Sequence, residues 1–231
     1  MSALQILSGG AAQGLVAAIR AQFYGETGRS IEGSFGAVGA MREKLLAGEP
    51  CDVLILTQPL IAELEASGRV VPGSARPLGR VRTGIAVKTG APRPDVGTAN
   101  SLKEALRSAS GIYFPDPLKA TAGIHFMNVL RQLGLEHELA PRLHAFPNGA
   151  AAMQAMAQDQ GSGLIGCTQA TEILYTTGVE LVAMLPAEFE LATVYVAAVA
   201  AAAKQPQGAA MLIDMLTGPE AAGVRRSGGF E

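Results

Sequence analysis

Short apolar runs alternate with amphipathic helical patterns along almost the whole chain, and this alternation restricts the possible fold more than any other feature. In the first part of the chain, strands are predicted at 4–8, 31–35 and 52–56, and a helical pattern follows each of them. Repeated strand–helix–strand units require right-handed crossovers and place their strands parallel in one sheet. The sequence therefore predicts an α/β fold.

A second α/β series begins near Ser101, after a stretch of different character. Val70–Arg82 is rich in Gly, Pro and Arg and has no helical pattern, and Gly84–Lys88 is then predicted to be a strand. The later strands, including a run from Leu191 to Ala200, are expected to return to the first half of the chain. We therefore expect two lobes rather than one continuous domain.

Composition excludes several classes of protein. Charged residues make up 16% of the 231 residues and the AVILMFWYC set makes up 48%, which excludes a disordered chain. Lys and Arg number 18 against 20 Asp and Glu, and this balance argues against nucleic-acid binding, which needs a surplus of positive charge. The longest apolar run, Val194–Ala203, is too short to cross a bilayer, so we expect a protein that is not embedded in a membrane.

The beginning of the sequence shows no secretory signal, because neither a basic segment nor a long apolar segment precedes the first strand. This predicts a cytoplasmic protein, or a periplasmic one if a leader has been removed.

No metal site or cofactor site is expected. Cys51 and Cys167 lie far apart, and the three histidines show no metal-ligand spacing. The segment Gly161–Gly166 matches GxGxxG, but a helical pattern precedes it and its last residues belong to the next strand. A dinucleotide-binding loop needs the opposite order, so we predict no nucleotide cofactor.

Small, Gly-rich turns recur where predicted strands lead directly into helices. In a parallel sheet these turns lie at the carboxyl ends of the strands, where ligands bind. Each turn presents unpaired N–H groups and the positive end of a helix dipole, and small residues let an anion approach the backbone. The sequence therefore predicts an anion-binding site. The turns are Ser8–Ala12, Phe35–Gly39, Asp116–Gly123, Pro147–Gly149 and Gly166–Gln169.

These segments resemble the type II periplasmic-binding-protein fold, specifically the ModA-like, molybdate-binding branch of bacterial solute-binding proteins. The resembling stretches are Leu4–Ala12, Gly33–Leu56, Asp116–Phe126 and, more weakly, Gly163–Glu172. The branch is also similar to aconitate isomerases built on the same fold. The resemblance implies mixed, mostly parallel sheets in two lobes, with a ligand held in a cleft between the lobes by hinge closure.

The resemblance also implies lobe boundaries. Lobe 1 is expected at 1–82 and 190–231 and lobe 2 at 83–189, with two crossover hinge strands near 83–88 and 185–195. Partners implied are a small anionic ligand and an ABC-transporter permease, and the protein is expected to be a monomer.

Only some of the ligand-binding residues of the family are matched in this sequence. Two family serines fall at about Ala11 and at Ala37 or Val38, so both hydroxyls are missing here. A backbone contact of the family matches Ala122, and its tyrosine falls near Gly166. A site built on hydroxyl donors discriminates by them, so the ligand stays open between an oxyanion and a di- or tricarboxylate.

Three functions remain open from the sequence. The first is a non-enzymatic binding protein for a small anion, in which Ser8 and Asn148 donate side-chain hydrogen bonds. The second is an isomerase that moves a proton within a bound tricarboxylate such as aconitate, with His125 and Asp116 as candidate catalytic residues. The third is a cytoplasmic ligand sensor.

Lys119 is a further candidate for the ligand site, because it would bring a positive charge to the rim of that site. The residues expected to bind the ligand are Ser8, Gly9, Gly10, Ala11, Gly36, Ala37, Val38, Gly39, Thr121, Ala122, Gly123, Asn148, Gly149, Thr168 and Gln169.

Overall fold

The computed structural model describes residues 3–231, which divide into two compact units. Unit 1 contains the chain up to Val81 together with Thr193–Glu231, and unit 2 contains Arg82–Ala192. The chain thus passes between the units twice, once inside a long strand and once at the start of the last strand.

Unit 1 has a mixed sheet with helices following its parallel strands. Numbered along the chain, its elements are β1 (Leu4–Gly9), α1 (Gln13–Thr27), β2 (Ile31–Gly36), α2 (Val38–Leu46), β3 (Val53–Thr57), α3 (Gln58–Ala66), β9 (Ala192–Val199), α9 (Pro206–Thr217) and α10 (Ala222–Ser227). The strand order is β2-β1-β3-β9. β1 pairs in parallel with β2 and β3, and only β9 runs antiparallel to its neighbour β3.

The core of unit 1 follows from the apolar pattern. Residues Leu15, Val16, Ile19 and Phe23 form the buried face of α1, at the spacing of a helix that covers a sheet. β3 is buried along its whole length, as expected for a strand covered on both faces. This packing fixes the ends of β1, β2 and β3 along one edge.

Unit 2 has a second mixed sheet. Its elements are β4 (Arg76–Lys88, which begins in unit 1), α4 (Ala99–Ser108), β5 (Gly111–Pro115), α5 (Thr121–Gln132), α6 (Glu136–Leu139), β6 (Leu143–Phe146), α7 (Gly149–Gln158), β7 (Leu164–Gln169), α8 (Ala170–Tyr175) and β8 (Val179–Met184). β5 pairs in parallel with β6 and β7, and β4 pairs antiparallel with β7 and β8. The α/β fold with mixed, mostly parallel sheets is confirmed.

β4 is longer than the sequence predicts, because it begins at Arg76 rather than near Gly84. The chain end stabilises the added part: Arg80 and Glu231 exchange two backbone hydrogen bonds of 2.8 Å each. Gly79 adopts a φ of +142°, and a Cβ there would lie 2.9 Å from the Glu231 carbonyl oxygen. The partner lies some 150 positions away in sequence, so no local pattern shows it.

The GxGxxG segment is a turn that leads into a strand. Gly163 has a φ of +68° just before β7 begins at Leu164. No helix follows its first glycine, as the sequence indicates. Among the helices of residues 3–231, none combines the length and the apolar character needed to span a membrane.

Substitution of Asp52 tests how much its buried carboxylate contributes to the stability of unit 1. It is 2% exposed, and its two carboxylate oxygens accept hydrogen bonds from the backbone N–H groups of Gln5 (2.8 Å) and Gln205 (2.9 Å). Asp52→Ala leaves both donors unpaired and should lower the free energy of unfolding by about 2–4 kcal/mol, measured by urea denaturation. Asp52→Asn keeps one acceptor oxygen and should lose less. Equal stability of the alanine variant and the wild type would contradict this role.

Candidate functional site

In unit 1, the parallel strands bring two helix starts to one edge. β1 ends at Gly9 and a 3-10 turn begins at Gly10, while β2 ends at Gly36 and α2 begins at Val38. No side chain caps either start. The first N–H groups of a helix have no acceptor inside it, so this edge offers backbone donors. The predicted ligand residues that lie here are Gly9, Gly10, Ala11, Gly36, Ala37, Val38 and Gly39.

The absence of a side chain at Gly9 lets these two starts lie side by side. A Cβ at Gly9 would lie 2.9 Å from the Val38 Cγ1 atom and 3.0 Å from the Tyr195 ring. Such contacts are too short, so a larger residue at this position would require the Val38 and Tyr195 side chains to shift. Gly9 therefore allows the close packing of these side chains beside the two starts.

Ser8 already has a hydrogen-bond partner in the chain. Its side chain is fully buried, and its hydroxyl donates to the carbonyl oxygen of the next residue, Gly9, at 2.9 Å. A hydroxyl has one proton to donate, and here the main chain accepts it. Donation from Ser8 to a ligand stays a prediction, and it requires this bond to break.

In unit 2, α5 begins without a side-chain cap close to the end of β5. The Asp116 carboxylate orders the intervening turn by accepting from the N–H groups of Leu118 (2.7 Å) and Lys119 (3.0 Å). A Cβ at Gly123 would overlap the carbonyl oxygens of Pro115 and Asp116, so only glycine permits this close packing. The predicted residues Thr121, Ala122 and Gly123 therefore form an uncapped helix start held against a strand end.

The start of α7 differs, because the chain itself fills it. The Asn148 side chain accepts from the Ala151 N–H at 2.8 Å and so caps the helix. The carboxylate of Glu172 accepts hydrogen bonds from the N–H groups of Gly149 and Ala150. Helix starts attract acceptors such as anions, and here the acceptor is the carboxyl group of an internal side chain. The amide of Gly149, predicted to face a ligand, is thus paired within the chain.

Glu172 is held by four donors in a buried position. Thr168 donates its hydroxyl to the Glu172 Oε2 atom at 2.5 Å, and the Gln169 N–H group also donates to the carboxylate. Burial raises the pKa of the Glu172 carboxyl, while these hydrogen bonds lower it in part. A Cβ at Gly149 would overlap both the Glu172 carboxylate and the Thr168 hydroxyl, so the residue must be glycine.

Three buried polar side chains of unit 2 have no hydrogen-bond partner among the described residues. They are Thr83 (1% exposed), Gln169 (2%) and Thr171 (4%), and both polar atoms of the Gln169 amide are unpaired. Gln169 was predicted from the sequence, whereas Thr83 and Thr171 were not. Only the strand register reveals Thr83, which lies opposite Gln169 in the β4–β7 pair.

The two catalytic candidates lie on either side of the start of α5, Asp116 before it and His125 within the helix, and have different surroundings. His125 follows the start of α5 by one turn, and its Nε2 atom lies 2.8 Å from the Phe189 carbonyl oxygen. A carbonyl only accepts, so Nε2 carries a proton and donates it. One oxygen of Asp116 is occupied by its own turn. Neither arrangement by itself forms a catalytic pair.

The described residues provide no reactive thiol and no group of metal ligands. Both cysteines are buried, and burial raises the pKa of Cys51 to about 12 and raises that of Cys167 still further. Within residues 3–231, no group of three or more His, Cys, Asp or Glu side chains is placed to hold a metal ion.

Solved structures share this fold. The periplasmic molybdate-binding protein of Azotobacter vinelandii matches with a TM-score of 0.81 and 18% identity, covering 99% of this chain and 98% of that one. The sulfate-binding protein SubI of Mycobacterium tuberculosis matches with a TM-score of 0.75 and 17% identity, covering 100% and 86%. At these identities the likeness shows the fold alone.

A curated relative and a family model extend the comparison to the sequence. An aconitate isomerase from a Pseudomonas species is 25% identical over 96% of this chain and 85% of its own length. The model of the bacterial extracellular solute-binding protein family matches residues 4–231. With two α/β units whose parallel strands lead into uncapped helix starts, and with a family match along nearly its full length, the chain belongs to the bacterial extracellular solute-binding proteins.

Proposed function

We propose that this chain binds a small anion mainly through backbone N–H groups at uncapped helix starts. The observation that carries the proposal is the absence of a side-chain cap at the Gly10 turn, at α2 and at α5, each of which follows a parallel strand. By contrast, α4, which lies outside these turns, has a complete capping box from Thr98 and Ser101. An uncapped, partly buried start needs an acceptor, and an anion supplies it.

Fold relatives support this ligand class. Two proteins of the same fold are described as binding molybdate and sulfate, which are both small anions. Net charge gives no long-range attraction here, because the chain carries −2. Anion affinity must therefore come from local dipoles and hydrogen bonds, which a helix start provides without charged side chains.

The resemblance and the family suggest the setting of this function. We propose that the protein delivers its ligand to an ABC-transporter permease as a monomer, and that it works in the periplasm if a leader has been removed. Hinge closure of both units on the ligand, implied by the same resemblance, stays a prediction.

Thr121→Pro tests the helix-start donors of α5. Proline is tolerated at the first helical position, and the preceding Ala120 has an extended conformation (φ −101°, ψ 127°) that proline permits. The variant deletes one N–H donor and should weaken anion binding about ten- to a hundredfold, because a hydrogen bond to a charged group is lost. Titration calorimetry with tungstate and with citrate measures the change.

Thr121→Ala is the matched control, because it removes the hydroxyl and keeps the N–H group. It should bind within about threefold of the wild type, a difference below the energy of one hydrogen bond. If the proline variant folds and binds the same anion as tightly as the control does, backbone donation by α5 is wrong.

Thr168→Val tests whether Glu172 is the internal anion of α7. The variant loses the hydroxyl that helps to stabilise the buried carboxylate, and its free energy of unfolding should be lower by about 1.5–3 kcal/mol. It also raises the folded-state pKa of Glu172 further, so stability is lost as pH rises through that value, and the deficit should be larger at pH 8 than at pH 5. Urea denaturation at the two pH values measures this.

Thr168→Ser retains the hydroxyl and should restore most of the stability and the wild-type pH dependence. A valine variant with the same deficit at both pH values would show that the Glu172 carboxylate is not what Thr168 stabilises.

A second candidate function is isomerisation of a small tricarboxylate, which the aconitate isomerase relative favours. His125 and Thr121 line a concavity of about 280 Å³ at the start of α5, together with Asn128 and Leu191. With Nε2 donating to Phe189, the neutral ring keeps Nδ1 free to accept a proton.

Product analysis after incubation with trans-aconitate tests this function. If the protein is an isomerase, His125→Gln should keep the donor toward Phe189 and lose the base, so the rate should fall about a hundredfold or more. Binding of aconitate, followed by calorimetry, should change little. Unchanged substrate in the wild type would exclude the isomerase, and an unaffected variant would exclude His125 as its base.

A further inference from the structure

A group of buried side chains in unit 2 lacks the partners that buried polar atoms normally have. Thr83 lies on β4, Gln169 ends β7, and Thr171 lies in the first turn of α8. Each is less than one-twentieth exposed, yet neither hydroxyl nor either polar atom of the Gln169 amide forms a hydrogen bond within the described chain. We refer to these three residues as the unpaired polar set.

Such a set destabilises the folded state unless its hydrogen bonds are completed. Most buried polar atoms in native structures are hydrogen-bonded, and each exception destabilises the folded state. Thr83 and Gln169 are direct neighbours across the antiparallel β4–β7 pair, so their side chains project from the same face of the sheet. The unpaired side chains of Thr83 and Gln169 are therefore neighbours, with Thr171 two positions after Gln169, which is expected where a ligand completes the hydrogen bonds.

The location agrees with the proposed anion site. Gln169 and Thr171 stand at the carboxyl end of β7, which is parallel to β5, and α5 starts after β5 at the same edge and packs against β7. The Gln169 backbone is fixed because its N–H group donates to the buried Glu172 carboxylate. Its side chain is thus held at the ligand-binding edge by a structural anchor.

The chemistry of an amide restricts the ligand. The Gln169 amide has a nitrogen that donates and an oxygen that accepts, and both are unpaired. The ligand must therefore supply one acceptor and one donor, whichever way the amide oxygen and nitrogen are assigned. A fully ionised tetrahedral oxyanion or a fully ionised carboxylate only accepts hydrogen bonds. It would satisfy the amide nitrogen and leave the amide oxygen buried without a donor.

A ligand hydroxyl meets the requirement, because it donates to the amide oxygen and accepts from the nitrogen or from a threonine hydroxyl. On the basis of the proposed anion-binding function, we propose that the ligand is a small hydroxycarboxylate. Its carboxylate is bound by the start of α5 and its hydroxyl by the set Thr83, Gln169 and Thr171. The unpaired polar set should discriminate strongly between ligands with and without this hydroxyl, since a ligand that lacks it leaves the polar atoms of the set unpaired.

Matched ligand pairs test the proposal by titration calorimetry. Citrate is compared with propane-1,2,3-tricarboxylate, and malate with succinate, because each pair differs by one hydroxyl. The wild type should bind at least one hydroxylated member about tenfold or more tighter than its deoxy partner. Gln169→Met has a similar length and no amide, and it should reduce that preference to less than about threefold.

Thermal unfolding without ligand distinguishes a role of Gln169 in ligand recognition from a role in the stability of the fold. Gln169→Met removes unpaired buried atoms and should unfold at the same temperature as the wild type or higher, whereas a structural role would lower that temperature. Thr171→Val repeats the test at a second member of the set, with the same expectations for preference and for unfolding.

The outcomes distinguish this inference from the proposed function. Tungstate binding without any carboxylate binding, or equal affinity for both members of each pair, would overturn the hydroxycarboxylate while leaving anion binding in place. A preference unchanged in Gln169→Met would overturn the role of the unpaired polar set. If neither tungstate nor any of the four carboxylates binds, the proposed function itself fails.

Discussion

The N–H groups at the starts of helices need acceptors, and in this protein the way each start is satisfied determines where a ligand can bind. Parallel strands place these starts at the same edge of each unit's sheet. At α7 the chain supplies Asn148 and Glu172 as acceptors, so that start is complete. At the Gly10 turn, at α2 and at α5 no side chain caps the start, and we propose that an anion binds there.

Glu172 illustrates how an internal carboxylate shapes a binding protein. Its carboxyl group occupies a helix start much as an external anion would, and so it blocks the binding of a second acceptor at the same donors. It also holds Thr168 and the Gln169 backbone in place. These hydrogen bonds therefore stabilise one arrangement of the junction between β7 and α8, where the unpaired Gln169 amide lies.

Much of the fold can be predicted from the sequence, because strand and helix periodicities are local and strong in this chain. The α7 helix at Gly149–Gln158 and the buried β3 strand are visible in the pattern of apolar residues. The extension of β4 is not, since its partner Glu231 lies at the other end of the chain.

The candidate site is predictable only in part. Glycines and small residues at strand ends mark the uncapped starts, and the Gly123 position follows from that pattern. The pairing of Glu172 with Gly149 joins residues more than twenty positions apart, and no motif announces it. Likewise, Thr83 joins Gln169 only through strand register, which single-sequence patterns do not specify.

We propose that uncapped helix starts, and not the filled start of α7, bind the ligand. Backbone amide chemical shifts in ¹⁵N-labelled protein, titrated separately with tungstate and with citrate, distinguish the two kinds of start. We expect large shifts for Val38, Gly39, Ala122 and Gly123, and small shifts for Gly149 and Ala150. Large shifts confined to Gly149 and Ala150, with the other four amides unchanged, would contradict it.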